Sequence, residues 1–201
     1  MSTETTTTEV TTLTGTYDID PSHSRLGFAA KHAMVATVRG GFKVYSGEVF
    51  LDEENPENSW AKVEIDVDSV DTGNADRDAH LRTPDFFDIA NHPKITFAST
   101  KVEKVDDDVY TLIGDLTING KTNPVSVDWE LTGTATDPWG GFRVGFEGKT
   151  TVNRRDWDLA WNLALDKGGV LVSEKVKIVL EVEAIAPQPE AADEVEGSTQ
   201  A

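Results

Sequence analysis

Apolar and polar residues alternate with a period of two through most of this chain, and that period constrains the fold more than any other feature. In "AKVEIDVDSVDTG", Val63, Ile65 and Val67 fall on one face while Glu64, Asp66 and Asp68 fall on the other, the pattern of a half-buried strand with one wet side. "GFRVGFEGKTTV", "WDLAWNLAL" and "EKVKIVLEVEA" alternate in the same way, and "RLGFAAKH" puts Leu26, Phe28, Ala30 and His32 on one face. Turn signals separate about eight to ten such runs, which predicts an all-β antiparallel sandwich or barrel. The helical signal is confined to one insert near residues 74–90. Asn74 is placed to cap a helix running to about Leu81, and Thr83-Pro84-Asp85 reads as a second start. His92-Pro93 ends it, since a residue before proline leaves helical space.

The 201 residues, 38% of them apolar, suffice for one domain with a real core. Residues 1–14 and 187–201 hold little to bury and read as flexible tails around a domain at 15–186. The chain has no cysteine, which excludes disulfides and thiol chemistry. With 36 acidic and 18 basic residues the net charge is −18, and the part between the tails keeps about −12. A field of that sign repels phosphate backbones, so no nucleic-acid partner is expected. "MSTETTTTEVTTLTG" lacks the basic and apolar regions of a leader, and the expected location is the cytoplasm.

No motif demands catalysis. "GDLTINGKT" imitates a phosphate-binding loop, but five residues separate Gly114 from Gly120 where that loop has four. Asn119-Gly120 is instead a strong hairpin-turn dipeptide. His23, His32, His80 and His92 lack metal-ligand spacing, so no metal is expected. "DPSHS" (20–24) reads as a turn held by side-chain-to-backbone bonds, not a nucleophile and base. Phe28, Phe42, Phe97, Trp129, Phe146, Trp157 and Trp161 all fall on inner faces. A barrel of about eight strands can be packed solid by such residues or can hold one ligand.

"YDIDPSHSRLGFAAKH" (17–32), "RGGF" (39–42), "DTGNADRDAHLRTPDFFD" (71–88), "HPKITFAST" (92–100), "IGDLTINGKTNPV" (113–125) and "VNRRDW" (152–157) closely resemble the YceI-like family, in consistent order from about Thr16 to Ile185. The resemblance implies an extended lipocalin-like antiparallel eight-stranded barrel around a hydrophobic tunnel. It implies a binding or carrier protein, not an enzyme, for polyisoprenoid chains, including quinone-type and prenyl-phosphate lipids, or other long amphiphiles. The insert becomes a lid near one barrel end, with Phe86, Phe87 and Ile89 turned inward and Arg77, Asp78, His80 and Asp85 tying the rim. His32, on the Phe28 face, is a candidate polar contact inside the tunnel or a satisfied core histidine. Many relatives carry glycine after the Arg-Asp-aromatic motif, where this chain has Asp158. Many are also exported.

The expected lipid-binding residues are therefore Phe28, His32, Phe42, Phe86, Phe87, Phe97, Trp129, Phe146, Trp157 and Trp161, with a bound isoprenoid-type lipid and no required cofactor. The expected partner is a long-chain hydrophobic molecule, with room for transient membrane contact and a homodimer. Two rival readings are an enzyme using His32 or His80 as acid and base on a lipid-like substrate, and a solid-core module whose acidic surface holds a basic partner.

Overall fold

The computed structural model describes residues 12–166 and 168–187; the remainder of both expected tails lies outside them. In chain order the strands are β1 (Gly15–Ile19), β2 (Arg25–His32), β3 (Ala36–Phe42), β4 (Tyr45–Leu51), β5 (Trp60–Asp66) and β6 (Val70–Asp71). The helix α1 (Ala75–Leu81) follows, then β7 (Lys94–Lys104), β8 (Val109–Ile118), β9 (Lys121–Thr136), β10 (Phe142–Asn153) and β11 (Val172–Ile185).

Eight of these strands close a ring in the order β1-β4-β5-β7-β8-β9-β10-β11, sealed where Asp18 and Ile19 of β1 pair with Ile185 and Ala184 of β11. All pairings are antiparallel. The fold is the eight-stranded barrel, and closure removes the exposed sheet edges that an open sheet must protect. The first part of β11 pairs with β2 instead, and β3 and β6 continue from it as a flap on the same wall. Asn119-Gly120 joins β8 to β9 with both residues at positive φ, 53° and 73°, the two-residue turn that follows right-handed strand twist. At Gly120 a Cβ would stand 2.6 Å from the His92 ring.

The insert begins as its sequence requires. Asn74 accepts a hydrogen bond from the Arg77 N–H at 3.0 Å and caps α1. Its continuation differs from expectation: residues 82–92 form consecutive turns and no second helix. Thr83 O accepts from both the Phe86 and Asp88 N–H groups at 3.0 Å, and Asp88 sits at φ 46°, so the chain curls before a helix can propagate. Asp78, 8% exposed, accepts from the N–H and hydroxyl of Thr72, and Arg77 donates to Thr72 Oγ1 at 2.7 Å and Thr72 O at 2.9 Å. Arg82 reaches the carbonyls of Asp68 and Val70. These bonds pin the insert across one barrel end.

"WDLAWNLAL" is not a strand. Trp157 closes a 3-10 turn (Arg154–Trp157), and Asp158 then takes left-handed φ 60°, ψ 14°, which turns the chain out of the sheet. Asn162 holds the segment beside β11, with its amide donating to Val172 O at 2.7 Å and accepting from Val172 N at 3.0 Å. Backbone pairing is limited to a short stretch, with Leu171 N donating to Leu163 O at 2.9 Å beside the isolated Ala164–Val170 bridge.

Candidate functional site: an apolar tunnel with a charged residue at its closed end

The barrel is hollow. Its interior is a cavity of about 520 Å³, within the range of about 300–1,000 Å³ typical of ligand pockets. Inward residues of β8 line it from Tyr110 to Ile118, which at about 3.3 Å per residue and a barrel tilt near 40° makes a tunnel on the order of 20 Å long. Its wall is built by the inner faces of the strands: Ile19, Leu26, Val63, Ile95, Leu116 and Val182 among others.

Of the ten residues expected at the lipid, Phe28, Phe42, Phe86, Phe87, Phe97, Trp129, Phe146 and Trp157 stand on this wall. Phe42 bridges Phe28 and Phe87, with ring centroids 5.8 Å and 5.9 Å away. Phe97 has room because residue 114 is glycine: a Cβ there would lie 2.5 Å from its ring. The Trp157 indole N–H donates to Leu116 O at 2.9 Å, which fixes this nearly fully buried ring as the floor of the tunnel.

Two expected residues stand elsewhere. His32 is exposed at the last position of β2; parity puts it on the Phe28 side, but the strand outruns the cavity, whose lining on β2 ends at Ala30. Trp161 lies outside because Asp158 turns the chain away. Its ring packs edge-on to His80 at 4.7 Å and against Phe86 at 5.3 Å, supporting the insert from behind. His80 lies 2.8 Å from Asp85 Oδ2. None of the four histidines lines the cavity.

The charged residues of the tunnel sit only at its ends. Asp52, Glu53, Lys104, Asp107 and Asp108 ring the end formed by the β4–β5 and β7–β8 connections, where the cavity meets exposed residues. The Asn58 amide and the Asn55 N–H hold the Asp52 carboxyl below its ordinary range. The Leu13 N–H and Thr12 hydroxyl do the same for Glu53. This mouth is acidic. The insert end is closed by Phe86, Trp157 and Leu159, all buried, and there Arg154 joins the wall.

Arg154, 4% exposed, went unnamed among the expected site residues although "VNRRDW" drew attention to its neighbourhood. Its Nε donates to Ser173 O at 3.1 Å and its Nη1 to Leu159 O. Its Nη2 is buried and has no partner among the described residues; the Trp129 indole N–H, also on the wall, is in the same state. Desolvation pulls the Arg154 pKa down. The next residue, Arg155, takes the nearby carboxylate, with Nε 2.6 Å from Glu174 Oε1.

A second polar cluster lies outside the tunnel. Arg143 bonds Asp20 and Asp137 at 2.8 Å each and also pairs with Glu183. His23 sits 2.9 Å from Asp20. Asp20, His23 and Glu183 converge as metal ligands would, but the Arg143 guanidinium already supplies the positive charge. Ser22 N donates to Asp20 Oδ1 at 2.8 Å, so "DPSHS" is the turn its composition predicts.

A closed antiparallel barrel and an apolar tunnel with charged groups only at its ends define a lipocalin-like barrel protein. Residues 17–184 match the YceI-like domain. A UPF0312 protein of Pectobacterium atrosepticum is 37% identical over 169 residues, 84% of each chain. One from Yersinia enterocolitica is 38% identical over 168 residues, again 84% of each. The chain belongs to the YceI-like family. Among solved structures, a YceI protein of Campylobacter jejuni superposes with a TM-score of 0.69 at 32% identity, covering 79% of this chain and 90% of that one. BcnA of Burkholderia cenocepacia shares the fold at a TM-score of 0.73 and 24% identity, covering 82% and 98%. So does a polyisoprenoid-binding domain of Saccharophagus degradans, at 0.64 and 19%, covering 85% and 98%.

Proposed function

We propose that this protein is a soluble carrier that holds one polyisoprenoid or similar long-chain amphiphile in its tunnel, taking it up by transient contact with a membrane. The fold supports a lipid-binding role, and the observation that carries the reading is the cavity of about 520 Å³ with an apolar wall. Each methylene moved from water into such a wall contributes about 0.8 kcal/mol. Loss of chain freedom offsets part of this, so length and shape of the chain dominate selection. The description of the Saccharophagus domain as polyisoprenoid-binding points the same way. Carriage is favoured by the apolar wall that a bound chain would touch along the length of the tunnel.

Native mass spectrometry of protein purified gently from its source tests this. The expected result is a co-purified long-chain lipid of defined mass. Phe146→Asp puts a charge on the tunnel wall, and a variant that folds by circular dichroism is expected to come out empty. Clean apo protein that takes up no added prenol would overturn the reading.

A further inference from the structure

An arginine with five N–H donors and no acceptor capacity is rarely buried without a carboxylate. Arg154 is buried, its two satisfied nitrogens face backbone carbonyls only, and the adjacent acid, Glu174, is engaged by Arg155. One nitrogen, Nη2, has no acceptor among the described residues and almost no accessible surface, in a residue that forms part of the tunnel wall, so a bond from it to a tunnel ligand requires a small rotation of the guanidinium. A buried cation is costly unless paired, so the vacant hydrogen-bonding position is most simply completed by something the tunnel holds. The other end of the tunnel argues for the same orientation. Its mouth carries Asp52, Glu53, Asp107 and Asp108 against Lys104 alone, a rim that repels an anionic group and tolerates a bare hydrocarbon end.

We propose that Arg154 is the head-group site of the tunnel: a terminal oxyanion, carboxylate or phosphate, binds its free Nη2 at the closed end while the hydrocarbon chain runs toward the acidic mouth. This rests on the carrier reading above and adds to it a polarity, with a preference for acidic amphiphiles over neutral ones of the same chain. Hydrogen bonds to a charged partner are roughly twice as strong as neutral ones, and Arg154 supplies them where water cannot compete.

The test compares matched pairs by displacement of a fluorescent fatty-acid probe: oleate against oleyl alcohol, and geranylgeranyl phosphate against geranylgeraniol. Wild-type protein is expected to prefer the anionic member of at least one pair by about tenfold or more, and the pair with the larger ratio identifies carboxylate or phosphate as the source. In Arg154→Gln that ratio is expected to fall to about one. Equal affinities within both wild-type pairs, or a preference that survives Arg154→Gln, would falsify the assignment while leaving the carrier reading intact. Failure of all four molecules to bind would sink both together. Should Arg154→Gln not fold, the guanidinium ¹⁵N resonances of wild-type Arg154 decide: a shift with the anionic member and none with its alcohol supports the site, and no difference overturns it.

Discussion

Asp158 sits at φ 60°, ψ 14°, a left-handed conformation that costs an ordinary L-residue roughly 1–2 kcal/mol and an aspartate somewhat less. A glycine would take this conformation without strain, at the residue that ends the 3-10 turn after β10 and leads toward Trp161. The Asp158 side chain offers only an exposed ion pair with Lys121 at 3.0 Å, and such pairs contribute little. Asp158→Gly is therefore expected to raise unfolding stability by about 0.5–1 kcal/mol, read from urea denaturation midpoints; an equal loss would show that the Lys121 contact dominates. Single positions also mark where sequence reasoning ran out. Phe28, Phe97 and Phe146 were legible because side-chain parity along a strand sets the face. His32 shares that parity, yet parity says nothing about where the cavity ends. Arg154 carried no periodic signal, since only the folded chain shows that a residue in a turn is buried against two carbonyls.

At the level of elements, the cluster around Arg143 ties the β1–β2 turn through Asp20, the β9–β10 turn through Asp137, and β11 through Glu183. Its protonation follows from the partners. The bond to Asp20, with Glu183 nearby, raises the His23 pKa above its ordinary value, while bonding from His23 and Arg143 holds Asp20 far below the usual carboxylate range. The contribution of His23 is thus complete below about pH 6.5 and is lost as pH rises through the higher folded value. The contribution of Asp20 is present above about pH 3.9 and is lost only at strongly acidic pH. Thermal midpoints measured from pH 6 to 9 are expected to decline on the alkaline side, and His23→Gln is expected to flatten that decline. The effect is modest because the imidazole is 59% exposed. Hairpins and caps were read correctly when their chemistry is local: Asn119-Gly120 and the Asn74 cap depend on a few adjacent residues. The segment 157–165 alternates like a strand and is not one, because a left-handed residue and the Asn162 amide outweigh periodicity.

For the whole molecule, a hollow apolar interior is a stability deficit, since cavity walls lack the dispersion contacts of a filled core. A ligand that binds only the folded barrel recovers it. Protein stripped of lipid and then given a long-chain prenol at about one hundred times its Kd is expected to gain about 2.7 kcal/mol, or on the order of 5–10 °C in Tm for a domain of this size. An unchanged Tm at saturation would contradict tunnel binding. The period of two was enough to specify an antiparallel all-β domain, because alternation is a local consequence of strand geometry. The quoted motifs were enough to specify the family and with it the barrel. Whether the seven aromatic rings expected on inner faces would plug that barrel or line it was open in the sequence. Void volume is a sum over contacts between strands far apart in the chain, and no stretch of residues encodes it. Closure by two residue pairs between β1 and β11, the acidic mouth and the buried Arg154 at the opposite end arise in the same way, from which strand ends the ring brings together.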